Sequence, residues 1–215
     1  MAWGPEGAST ARGAGRAMRP SPLATVLATY SGRSDEEARD LDRIRALTAL
    51  AGSGGDPWAR SSPLHVTGSA VVVHPPSRRV LLRWHDRQQG WLQVGGHADP
   101  GEADPFAVAL REAREETALT DLAAWPDPAR PQLVHAVIVP VPAGRGEPAH
   151  EHADLRYVLA TSHPDDAAPE TPGAALRWLS LDEALEAAGE DNLRVTLERI
   201  DTALAAASGQ APRGR

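Results

Sequence analysis

Cysteine and lysine are both missing from this 215-residue chain. Without cysteine there is no disulfide, no thiolate nucleophile and no Cys-ligated zinc. Without lysine there is no Schiff base and no Walker-type phosphate-binding lysine, and all 22 basic residues are arginine. Aromatic residues are only 4% of the chain, which leaves few rings for stacking a base. No apolar run approaches the ~18 residues of a membrane span. The N-terminus carries arginines but no apolar stretch of the secretory kind, so a cytoplasmic location is the expectation. The net charge of -7 argues against binding to a nucleic-acid backbone. What is present is an apolar fraction of 41%, enough for a core, in a length that suits one domain with extensions.

Residues 1–20 are rich in Gly, Ala and Arg, show no period and read as a disordered tail, with Met18 as an alternative start. Residues 21–62 read as a helical extension and linker. Ser34 to Glu37 has capping-box spacing. Leu41, Ile44, Leu47 and Leu50 then mark one helix face, and 52–63 is loop by composition. The main domain is expected over 63–207. HVTGSAVVVH (65–74) and RVLLRWH (79–85) read as a hairpin closed at PPSR, and GWLQV (90–94) as a short strand running into Gly95-Gly96. Further strands are expected at QLVHAVIVPV (132–141), HEHADLRYVLAT (150–161) and ALRWL (175–179). Asp104 as N-cap and Pro105 at the first position open a helix that reaches about Thr117. Ser180 to Glu183 caps a short helix, and Leu193, Leu197, Ile200 and Leu204 mark a C-terminal amphipathic one. Residues 208–215 read as a second disordered tail. The order of strands, one central helix, strands and then helices predicts an α+β fold with a mixed sheet.

The stretch Gly95–Leu119 carries the chemistry. On a helix, Glu112, Glu115 and Glu116 stand at i, i+3 and i+4, so three carboxylates share one face and repel by a few tenths of a kcal/mol per pair. A divalent cation removes that repulsion, and Mg²⁺ prefers oxygen ligands. Alone, REAREE reads as a solvated face laced with Arg–Glu pairs. Its context is more specific. A strand leads into a diglycine, where a ligand can approach the backbone closely. Glu102 lies in the following loop, and Phe106, Val108, Ala109, Leu110 and Ala113 give the helix a buried side.

Residues 95–119 resemble the Nudix box: Gly, five residues, Glu, seven residues, then Arg-Glu-apolar-x-Glu-Glu-x-Gly-apolar. Gly96, Glu102, Arg111, Glu112, Ala113, Glu115, Glu116 and Leu119 carry the match. Trp178 to Glu183 resembles a stretch found late in such domains, and the resemblance spans about 65–190. Three departures stand out. Eight residues separate Glu102 from Arg111, which predicts an extra loop residue before Asp104 and a displaced Glu102. Ala118 replaces a Gly, at a cost on the order of 1 kcal/mol if the cap is left-handed. Val94 replaces a common Pro.

The resemblance implies an α/β/α sandwich with a mixed central sheet. It also implies Mg²⁺-dependent hydrolysis, with Mn²⁺ as an alternative, of a nucleoside diphosphate linked to another moiety. That moiety is open among a sugar, ADP-ribose, a second nucleotide or an NTP-like substrate. Under it Glu112 and Glu116 are the principal metal ligands, and Glu115 and the Gly96 carbonyl are further ones. Glu112 is alternatively the base. Arg111 orients the glutamates, and Glu102 supports the loop or reaches metal through water. Dimers are common among such proteins, so a homodimer is the expected assembly. A runner-up reading is a Nudix-like module that binds a nucleotide without cleaving it. Isopentenyl diphosphate isomerase shares the fold but requires a cysteine that is missing here.

A second cluster is His150, His152, Asp154 and Arg156, on one face of a strand whose other face (Ala153, Leu155, Tyr157, Leu159) is core. The polar face reads either as solvated or as the cleft wall opposite the acidic helix. There imidazoles can hold phosphate or pass a proton. His-x-His with an Asp also suits Zn²⁺ or Mn²⁺. Glu147 and Glu151 are alternatives for an acid that the resembled family draws from this region. His97, after the diglycine, faces either phosphate or solvent. His97, Glu102, His150, His152 and Asp154 are thus the substrate-binding candidates. Trp84, Trp91 and Trp178 either stack a base or belong to the core. The apolar stripes at 34–50 and 192–206 are buried within one chain or at a dimer seam.

Overall fold

The computed structural model describes residues 21–51, 54–144 and 146–209. The expectations for residues 1–20, for Met18 as a start and for 210–215 fall outside them. Valines at 71–73 and 80 supply the stiff, branched side chains that suit a fully buried strand. They sit in β1 (Leu64–His74), the axis of a mixed eight-stranded sheet, and in β2 (Arg79–His85). On one flank of β1, β2 pairs antiparallel near its end and β4 (Val94–His97) near its start. On the other flank β7 (His150–Ala160) runs parallel to β1, from Leu64↔Glu151 to Val73↔Ala160. β3 (Gly90–Leu92) and β8 (Leu176–Ser180) join β2, while β5 (Ala123–Ala124) and β6 (His135–Val141) join β7.

Alternation along β1 sorts the core into two layers. Val66, Ala70 and Val72 face α3 (Pro105–Thr117) and the N-terminal helices α1 (Pro22–Thr29) and α2 (Asp35–Ala51). Val71 and Val73 face α4 (Leu181–Ala187) and α5 (Asp191–Ala207). Gly68 lets α3 lie flat on β1, since an added Cβ would come within 2.6 Å of the Pro105 carbonyl oxygen. The expected α/β/α sandwich is therefore present.

The helical stretch expected over 21–51 is two helices rather than one. The chain turns between them at 30–34, where Tyr30 bends back to donate its hydroxyl to Glu37. Half of the expected capping box forms. Ser34 Oγ accepts from the Glu37 N–H at 3.2 Å, but the Glu37 carboxylate accepts from the Arg33 N–H at 2.7 Å instead of returning to Ser34. That carboxylate does more. With Asp40 it covers the open edge of β6, accepting from the Ala136 N–H at 3.2 Å while Asp40 accepts from the Ile138 N–H at 2.8 Å. Arg199 on α5 clamps Glu37 with two bonds of 2.7 and 2.9 Å. Leu41, Ile44 and Leu47 on α2, and Leu193, Leu197, Ile200 and Leu204 on α5, are buried within this one chain. Neither stripe is left for a dimer seam; the Leu50 side chain lies outside the described residues. No described helix is long and apolar enough to cross a membrane.

Candidate active site

α3 begins as its sequence dictates, with Asp104 Oδ1 accepting from the Phe106 N–H at 3.0 Å and Pro105 in the first turn. Its buried side packs on β1 through Val108, Ala109 and Ala113. That contact turns the glutamates toward β4. Glu116 points inward. Its carboxylate accepts from the Gly95 N–H at 3.1 Å and pairs with Arg83 at 3.3 Å. Burial pushes its pKa up to about 7, although Arg83 and the Gly95 amide pull the other way. Glu112 lies against Gly96 so tightly that an added Cβ there would sit 2.5 Å from the carboxyl carbon. Burial raises its pKa as well, against the pull of Arg111. Glu115 is exposed.

Arg111 is the hub of this arrangement. Its Nη1 donates to Glu112 at 2.9 Å and to Glu115 at 3.0 Å. Its Nη2 donates to Glu102 at 2.9 Å and to the His97 carbonyl at 2.8 Å. Glu102 also accepts from the Asp99 N–H at 2.8 Å, which closes the loop before the helix. The helix opens at Asp104, and Glu102 in the loop before it reaches Arg111. Ala118 caps α3 in the left-handed region, φ 58° and ψ 4°, with its N–H donating to the Arg114 carbonyl. The predicted cost at that position is therefore incurred.

The donors at this end of α3 are all oxygens: three carboxylates beside the close-packed backbone of Gly96. That set fits a hard divalent cation and offers nothing to a soft one. The carboxylates pair with Arg83 and Arg111, two positive charges for three negative ones.

On the other face of β4 lies a cavity of about 220 Å³. Gly95 and Gly96 belong to both sides, lining the cavity while touching Glu116 and Glu112. The polar face of β7 forms part of its wall, buried at Asp154 and Arg156 and half-buried at His152. Arg156 is 1% exposed, and its Nε donates to Asp154 at 2.7 Å. Asp154 also accepts from Ser69, from Thr67 at 3.0 Å and from Gln93 at 3.3 Å. Burial alone would raise its pKa, but Arg156 and the two hydroxyls hold it below the usual carboxylate range. Asp154 is thus an anchor within the wall. Gln93 Oε1 is buried there with no partner.

His97 and His152 line the same cavity, with His150 beside them. Burial and the neighbouring histidines push His97 down to about 3 and His152 down to about 4. Glu147 and Glu151 do not line this cavity and are paired with Arg87 at 2.9 Å and Arg43 at 2.6 Å. The tryptophans weighed as stacking platforms do not line it either. Trp84 and Trp91 pack edge to face at 5.5 Å, and Trp178 Nε1 donates to the Pro164 carbonyl.

Sequence reasoning missed Thr67, Ser69, Arg83, Gln93 and His65. A signal existed for three of them. His65, Thr67 and Ser69 alternate with Val66, Gly68 and Ala70, which marks a second polar face inside the sheet. The register then sets Thr67 beside Asp154 and Ser69 beside Arg156.

The NUDIX domain family model matches residues 64–200. The chain belongs to the Nudix hydrolase family. Within this Nudix fold, α3 and the loop before it are the Nudix box. The fold is similar to that of an Ap4A hydrolase from C. elegans solved as a binary complex, at 20% identity and a TM-score of 0.51, covering 66% of this chain and 98% of that one. It is also similar to a dihydroneopterin triphosphate pyrophosphohydrolase from E. coli, at 20% identity and a TM-score of 0.48, covering 64% and 94%. No curated protein matches the sequence.

Proposed function

We propose that this Nudix protein is a divalent-metal-dependent pyrophosphohydrolase that cleaves the diphosphate linkage of a nucleoside diphosphate derivative. The metal, Mg²⁺ or alternatively Mn²⁺, would be held by Glu112, Glu115, Glu116 and the Gly96 backbone. One observation carries this reading: the two glycines of β4 touch the helix carboxylates on one side and line a cavity on the other. When bound, the metal neutralises phosphate charge and lowers the pKa of a coordinated water.

The remaining work falls to the chain itself. Arg111 holds Glu112 and Glu115 side by side and ties them to Glu102 and the His97 carbonyl. In-line displacement at phosphorus needs mostly such positioning and charge compensation. Arg83 is half-buried, its Nε has no partner, and it can share its charge between Glu116 and a phosphate oxygen. Gln93 Oε1 offers an acceptor to an N–H or hydroxyl of the bound nucleotide. His97 and His152 would face the substrate as neutral imidazoles.

The test is turnover on nucleoside triphosphates, nucleotide sugars, ADP-ribose and dinucleoside polyphosphates with Mg²⁺ or Mn²⁺, alongside Glu116→Gln. Cleavage by the wild type that is lost in the variant is the expected result. No turnover, with a nucleotide still raising Tm, would establish a binding module instead. Turnover that persists in the variant would put the metal on other residues.

A further inference from the structure

Four histidines far apart in sequence meet at one end of the sheet. His65 lies at the start of β1, His97 ends β4, and His150 and His152 lie at the start of β7. His65 pairs in register with His152, two positions before the Thr67–Asp154 pair. Nε2 of His65 lies 3.1 Å from Nε2 of His97, and the Nε2 atoms of His150 and His152 are 3.2 Å apart. One ligand nitrogen from each of His65, His150 and His152 lies within 4.8 Å of the other two. His65 stacks on both His97 and His150, with ring centroids 5.1 and 5.4 Å away.

The outer nitrogens fix the tautomers. His65 Nδ1 is 2.9 Å from the Ser62 carbonyl, and His150 Nδ1 is 2.9 Å from the Pro148 carbonyl. A carbonyl only accepts, so both Nδ1 atoms carry hydrogen, and Nε2 is the nitrogen each ring has left to offer a metal. A backbone carbonyl on the far nitrogen is the usual way a metal-binding imidazole is oriented. A tetrahedral ion with bonds of about 2.0–2.1 Å sets its ligand nitrogens about 3.3 Å apart. Two pairs here already stand near that spacing. A cavity of about 350 Å³, lined by all four histidines with Arg60 and Arg87, borders the cluster.

We propose that His65, His150 and His152 bind a borderline divalent ion of the Zn²⁺ class through their Nε2 atoms, with His97 as the fourth nitrogen. Imidazoles select zinc, nickel or copper over magnesium, so this site and the carboxylates of α3 take different ions. Asp154 is not a ligand, because Arg156, Ser69, Thr67 and Gln93 already occupy its oxygens. The ion would bolt the starts of β1 and β7 to the end of β4, beside the cleft. The assignment does not rest on the pyrophosphohydrolase reading, although His97 and His152 border both cavities.

The experiment uses the untagged full chain, stripped with a chelator, dialysed and titrated with Zn²⁺ and then with Co²⁺ as a spectroscopic probe. Uptake of one equivalent is expected, with the visible absorption of tetrahedral Co²⁺ and a Tm that rises with Zn²⁺. Millimolar Mg²⁺ should not displace the ion, and Glu116→Gln should retain it. His65→Gln and His150→Gln should each weaken binding by more than the roughly 10–100-fold that loss of an outer-shell partner costs, with folding checked by circular dichroism. His150 is the more accessible of the two, and its variant keeps the test decisive if the His65 variant does not fold. Failure of the wild type to take up Zn²⁺ or Co²⁺ would overturn the assignment. So would uptake that both folded histidine variants retain, or uptake that disappears with Glu116→Gln. The four rings would then be held only by N–H to N contacts with one another.

Discussion

At the scale of single residues, the sharpest constraint is the absence of a side chain at Gly96. A methyl group there must displace the Glu112 carboxyl group, which would sit 2.5 Å from the new Cβ. Because misplacing a catalytic group by about 1 Å can cost roughly 100-fold, Gly96→Ala should lower kcat by about that factor while Tm changes little. Steady-state assays beside thermal melts check this. Arg111→Lys is not conservative at a site with four acceptors, because an ammonium has no planar fork. It should lower kcat more than it raises KM, since the arginine touches the carboxylates rather than the cleft. The carboxylate cluster was legible in the sequence because its spacing is local: three glutamates at i, i+3 and i+4 share a face in any helix. Arg83 and Gln93 were not. Their neighbours are set by which strand lies beside which, and by register, and neither follows from spacing along the chain.

At the scale of elements, α3 ends on a residue that its backbone disfavours. Ala118 sits at φ 58° and is exposed. Ala118→Gly should therefore stabilise the protein by about 1 kcal/mol, offset in part by the extra freedom of glycine in the unfolded chain. Urea unfolding should show a higher midpoint with an unchanged slope. Strong local signals placed α3, α4 and α5 well, because caps and apolar stripes are written in consecutive residues. The weaker assignments fell where tertiary contact decides. β5 is two residues long and exists because β7 offers it an edge. The break between α1 and α2 follows from Tyr30 and Glu37 turning toward Val134 and Arg199, which no window over 21–51 contains.

At the scale of the whole molecule, the N-terminal helices and the C-terminal helix are joined through one buried ion pair. Glu37 and Arg199 are 1% and 11% exposed at their side chains. Burial favours a neutral Glu37, but Arg199, Tyr30 and two backbone N–H groups outweigh it and hold its pKa at about 2, below the ordinary 4.5. A depressed carboxylate pKa stabilises the folded state fully above the ordinary value and loses that contribution as pH falls toward the folded one. Stability from this group should thus be constant above about pH 5 and drain away between 4.5 and about 2. Glu37→Gln should cost about 3–5 kcal/mol at neutral pH, because it leaves a buried guanidinium unpaired. It should also flatten the acid limb of the stability curve, and urea midpoints at pH 6 and pH 3 compare the two.

The same pair has a consequence for how the chain is made. Glu37 leaves the ribosome 162 positions before Arg199, an interval of roughly 10–30 s at about 5–20 residues per second. Until β6 emerges its carboxylate has no partner on the sheet, and until α5 follows it has no guanidinium, and a charge without partners stays in water. The helices translated first thus cannot complete their docking until the last helix has been made.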